Sequence, residues 1–158
     1  MMKINALNEF FGLSRYELWK SGWDNKSQVD EYSYISDKCN PEDVLLSCRI
    51  FFPDFVVVEN GVFLERNYNS DAFLSWLEIF GGDLHAVERM INHTHLYDLF
   101  DGCVEEVDDR VFEQLAEVLV FSWKLILENK FPDRRFDVKI SNSEQEYGPV
   151  VTFCQANF

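Results

Sequence analysis

The chain predicts an α+β fold: a small antiparallel sheet built from two hairpins (about 55–65 and 136–156), helices packed on it, and a central helix at about 108–130. Three observations carry this expectation. Val111, Phe112, Leu115, Ala116, Leu119, Trp123 and Ile126 recur at three- and four-residue steps, the spacing of one helix face. Asn60-Gly61 separates two β-rich runs. Phe136-Asp137-Val138-Lys139-Ile140 alternates apolar and polar residues, as a half-exposed strand does.

Taken in order, residues 5–11 and the stretch opening at Ser14 predict two short helices. Gly12 closes the first, because glycine accepts a left-handed C′ conformation. Ser14-Arg15-Tyr16-Glu17 has the S-x-x-E form of a capping box for the second. Trp19 and Trp23 lie one helical turn apart and predict an anchor for this segment. The polar text from Asp24 to Lys38 predicts a surface loop. Asn40 is a natural N-cap, Pro41 suits the first helical position, and Glu42 and Asp43 face the positive helix end. Val44, Leu45 and Cys48 are its expected buried stripe, and Pro53 its stop.

Asn60-Gly61 predicts a two-residue type I′ turn, since both turn positions require positive φ. Val57 then faces Leu64, and Val58 faces Phe63. With both sides apolar, the hairpin should be covered on one face and at least partly sheltered on the other. Ser70 caps a helix carrying Phe73, Trp76, Leu77 and Phe80 inward, and Gly81-Gly82 ends it. Asp83 caps the next, expected to run from Leu84 to about Phe100. An acidic connection leads into the central helix, where Glu117, Lys124 and Glu128 form a narrow wet strip. The run at 150–154 is the expected partner of the strand at Phe136. No repeat, low-complexity tract or linker divides the 158 residues, so a single globular domain spanning 1–158 is expected.

Composition bounds the function. No run of eighteen apolar residues and no signal-peptide layout occurs, so a cytoplasmic protein is expected. Cys39, Cys48, Cys103 and Cys154 show no C-x-x-C spacing and read as small core hydrophobes in a reducing compartment. Twenty-eight acidic residues against fourteen basic ones leave a net charge of −14. Such a field repels nucleic acid and anionic membrane and attracts basic partners. The same surplus also serves solubility.

All three histidines fall on the stretch expected as the Leu84–Phe100 helix. His85, Glu88, Asn92 and His95 gather on its outer face, and Leu84, Val87, Met90, Ile91, Thr94 and Tyr97 on its inner one. His85 beside Glu88 is the minimal acid–base pair, although no nucleophile accompanies it. His93 and His95 would chelate a metal on a strand. On a helix the same spacing sets them about 160° apart, unable to share an ion, so no metal site is expected. No dinucleotide, P-loop, zinc-protease or serine-hydrolase motif occurs, and no cofactor is expected.

The densest charged feature is Asp101, Glu105, Glu106, Asp108, Asp109, Glu113 and Glu117, opposed only by Arg110. Acids at the start of the central helix stabilise it by roughly 0.3–1 kcal/mol each. The others add mutual repulsion without an evident structural return, as an electrostatic docking patch does. The expected function is a non-enzymatic acidic binding protein that docks a basic macromolecular partner. An inhibitor or toxin-immunity-type protein is one concrete form. The alternatives are a small-molecule enzyme using His85, Glu88 and His95, and a structural or oligomerisation domain.

Overall fold

A computed structural model of the chain describes residues 2, 4–141 and 147–156. Among them are seven α-helices and two antiparallel sheets, an α+β architecture. The helices are α1 (Ser14–Ser21), α2 (Glu31–Lys38), α3 (Pro41–Phe51), α4 (Ser70–Ile79), α5 (Leu84–Ile91), α6 (Leu96–Leu99) and α7 (Asp109–Lys130). Strands β1 (Phe55–Val58) and β2 (Gly61–Leu64) form one sheet. Strands β3 (Thr94–His95), β5 (Val150–Gln155) and β4 (Phe136–Ser141) form the other, in that order.

Both expected hairpins are present, but they belong to separate sheets. β2 is the hub between them. Val62 and Leu64 point into the larger core with Leu119, Trp123, Leu127, Val138 and Phe153. Phe63, from the opposite face of the same strand, joins Phe73, Val87 and Ile91 in a second cluster. All four β2 residues are buried, so the doubly apolar pattern has its cause in cover on both sides.

The turn differs from expectation by one position. Glu59 and Asn60 take the positive φ values (48° and 70°), and Gly61 pairs with Val58 as the first residue of β2. Gly61 is needed there for space: a Cβ would lie 2.7 Å from the Phe63 ring. The pairing moves by two residues, so every side chain keeps its expected face.

Local helix punctuation holds at α3, α4 and α5. The Asn40 side chain accepts the Glu42 N–H, with Pro41 at the first position. Asp83 accepts the N–H groups of His85 and Ala86. Gly81 and Gly82 end α4 at positive φ, although Asn69, one residue before Ser70, is its cap. α1 forms without the expected capping box, since its N-cap is Leu13 and makes no side-chain bond.

Several tertiary expectations need correction. Residues 5–11 are irregular rather than helical. The polar stretch 24–38 contains α2, held by a reciprocal Asp30–Ser33 capping box. Tyr34 of α2 packs on Trp19 and Tyr16, and Trp19 donates to Asp37 at 2.8 Å. The tryptophan pair thus anchors α1 to α2 and not to the main core. α3 leaves its expected stripe exposed, Leu45 at 72%, and reaches the core through Ile50 and Phe51 instead. Cys39, Cys48 and Cys103 are exposed; only Cys154 is buried, and burial pushes its thiol up.

α7 is central as expected, with Ala116, Leu119, Trp123 and Leu127 buried and the Trp123 indole donating to the Ile50 carbonyl at 2.9 Å. Glu117, Lys124 and Glu128 are its exposed strip. Its cover is incomplete, however: Phe121 and Leu125 remain about half exposed.

Candidate functional site: an acidic face and a histidine groove

The seven predicted acids divide into two groups. Three have intramolecular work. Asp108 caps α7 by accepting the Arg110 N–H, and the Arg110 guanidinium beside it holds its carboxyl well below the usual range, to about 2. Asp109 accepts the Tyr97 hydroxyl at 2.7 Å, which pushes that phenol up to about 12. Glu105 meets Arg15 at 3.2 Å in an exposed pair, the kind that contributes little to stability. Asp101, Glu106, Glu113 and Glu117 are exposed, and no ion pair or hydrogen bond engages their side chains among the described residues.

Beside this second group lies a groove that the sequence did not reveal. Residues 5–11 run along the first half of α7, fixed by Gln114. The Gln114 amide accepts the Phe11 N–H at 2.9 Å and donates to the Phe11 carbonyl at 2.8 Å, as a neighbouring strand would. Arg110 stacks over the Phe11 ring, and Gly12, at φ +74°, turns the chain away into α1. The resulting cavity of about 480 Å³ has Phe10, Phe11 and Phe121 in its wall, with Glu9, Glu113 and Glu117 among them and no lysine or arginine among the described residues that line it. Its only sequence signals are the adjacent Phe10-Phe11 pair and Phe121 beyond the regular helix stripe.

The predicted outer face at His85, Glu88, Asn92 and His95 is not a surface. α5 lies across the gap between β2 and β5, and Glu88 and Asn92 are both 0% exposed. One Glu88 oxygen accepts the Val62 N–H and the Gln155 side-chain amide, each at 2.8 Å; the other accepts the Gln155 backbone N–H at 2.7 Å. Asn92 accepts the Leu64 N–H at 2.8 Å and donates to the carbonyls of Val62 and Phe153. These two side chains stand in for a missing strand and bridge the two sheets. His85 Nδ1 lies 2.8 Å from the Gln155 carbonyl, and no hydrogen bond joins it to Glu88 among the described residues. With both oxygens committed to donors of β2 and β5, the Glu88 carboxylate acts as a structural brace between the two sheets.

The helix stops at Ile91 because Asn92 turns its side chain into the sheets, and the chain continues extended. Thr94 pairs with Val151 and His95 with Val150. This overturns the helical geometry assumed for His93-Thr94-His95. Buried Thr94 points away from solvent, and the two imidazoles lie with ring centres 4.8 Å apart. They share a shallow groove with Arg66, Trp76, Met90 and Asp98.

Among the described residues, no group of three or more histidine, cysteine or carboxylate side chains could hold a metal, and no helix is long and apolar enough to cross a membrane. Compared with known proteins, the chain matches no family model, no curated protein and no solved structure.

Proposed function

We propose that this protein is a non-enzymatic acidic binding protein that docks a basic macromolecular partner, an inhibitor or toxin-immunity-type protein being one concrete form. The observation that supports this reading is the groove along α7. Its aromatic wall offers apolar burial, Glu9, Glu113 and Glu117 supply negative charge, and no lysine or arginine stands among the described residues of its lining. Apolar contact surrounded by carboxylates suits a partner segment that presents apolar side chains flanked by Lys or Arg. Charges of this kind act on association rate and partner choice more than on final affinity, and weaken as salt rises.

The test uses the immobilised full chain and a cell extract, washed with rising salt. A basic protein should be retained at low salt and released as salt increases. The triple variant Glu106→Gln, Glu113→Gln, Glu117→Gln should lose it while thermal stability stays unchanged. Retention that ignores both salt and the triple substitution would refute the proposal, as would repeated failure to retain any basic protein.

A further inference from the structure

We infer that His93 and His95 form a two-imidazole site for a divalent transition-metal ion of the Ni²⁺, Cu²⁺ and Zn²⁺ group. The spacing is H-x-H; Thr94 and His95 form the short strand β3, and the turn at Asn92 brings the His93 ring beside that of His95. With metal–nitrogen bonds of about 2.0–2.1 Å at a near-tetrahedral angle, two ligating imidazoles bring their ring centres to roughly 5 Å. The observed separation is 4.8 Å, with the rings tilted by 39° rather than stacked face to face.

The backbone that carries the pair is clamped from both sides. The Asn67 amide donates to the carbonyls of Ile91 and His93 and to the Thr94 hydroxyl oxygen. On the other side β5 pairs with Thr94 and His95, and the Leu96 N–H reaches the Pro149 carbonyl at 3.0 Å. The ligands are therefore largely pre-positioned, which reduces the ordering cost of chelation. Each imidazole ligates through one nitrogen and keeps the other for an outer partner.

No third histidine, cysteine or carboxylate completes the set among the described residues. The ion is held by two protein nitrogens, with its other positions taken by water or a donor from another molecule. Arg66 and Asp98 line the same groove, and the two imidazoles are the ligands. Imidazole suits these three metals, and Cu²⁺ should bind most tightly.

The metal-free full chain is titrated with Zn²⁺ by calorimetry and with Cu²⁺ by electron paramagnetic resonance. One saturable site per chain with two-nitrogen coordination is expected. It should be lost in His93→Ala and in His95→Ala and kept in His85→Ala. Absence of saturable binding overturns the inference. So does binding that survives both substitutions, which would place the ion on the exposed thiols of Cys39, Cys48 or Cys103. Where either variant fails to fold, ring ¹⁵N shifts of the unaltered protein decide. Zn²⁺ must move His93 and His95 and leave His85 in place, and any other pattern overturns the assignment.

Discussion

Replacing Glu88 tests the brace between the two sheets most directly. Glu88→Ala leaves two backbone donors, the N–H groups of Val62 and Gln155, without their acceptor. Val62 is 0% exposed and Gln155 only partly buried. A buried donor stripped of its partner costs about 1–3 kcal/mol, less where water can reach it, so the alanine variant should lose roughly 2–5 kcal/mol. Glu88→Gln keeps the volume and one acceptor oxygen but turns an amide donor toward an N–H. It should lose about 1–3 kcal/mol. Against a total stability of roughly 5–15 kcal/mol, the alanine change takes a large share. Urea unfolding measures this through the midpoint, with an unchanged slope confirming that the denatured state is not what moved. Each kcal/mol should lower the melting temperature by about 2–4 °C at this chain length. If Glu88→Gln unfolds within about 0.5 kcal/mol of the parent, as an ordinary surface substitution does, the carboxylate does not brace the sheets.

Two further predictions rest on single contacts. Gly61→Ala drives a methyl to within 2.7 Å of the fully buried Phe63 ring. It should therefore cost about 1–3 kcal/mol in thermal or urea unfolding, and a neutral result would refute the close approach of Gly61 to that ring. Tyr97 should titrate near 12 through its bond to Asp109. Because the folded value lies above that of the unfolded chain, the contribution to stability is complete below about pH 10 and fades as pH rises through the folded value. Tyrosinate absorbance follows this directly. Asp109→Asn should bring Tyr97 back toward about 10, and an unchanged titration would rule out Asp109 as the cause.

Much of the secondary structure was legible because it obeys rules that operate within one turn of chain. Asn40-Pro41, Asp83 and Gly81-Gly82 punctuate helices through hydrogen bonds and backbone preferences confined to their neighbours. α7 is long and strongly periodic, and its buried residues fall on the spacing that defines a helix face. The α2 helix was missed because polar text without an apolar stripe reads as loop. What holds it is a capping box and two aromatic contacts to α1.

The candidate sites were far less legible. Glu88 reads as an outward surface residue at helical spacing, yet it faces the edges of two strands distant in sequence. Nothing near position 88 records that Val62 and Gln155 need acceptors. The same partners decide where the helix stops, since Asn92 is drawn into that gap, and the stop turns an unworkable histidine pair into adjacent rings. For the acids, spacing and sign marked the region. Only the fold separates Asp108, Asp109 and Glu105, which have partners of their own, from Glu113 and Glu117 beside the aromatic groove.

By itself, then, the sequence determined the α+β class, the two hairpins, the central helix and the excess of negative charge. Each of these follows from composition or from interactions a few residues long. Only the tertiary structure decided that the hairpins sit in two sheets, that a glutamate and an asparagine join them, and which carboxylates face solvent uncommitted. Those outcomes depend on hydrogen-bond donors and apolar surfaces brought together from positions up to about a hundred residues apart, and no local pattern encodes such a meeting.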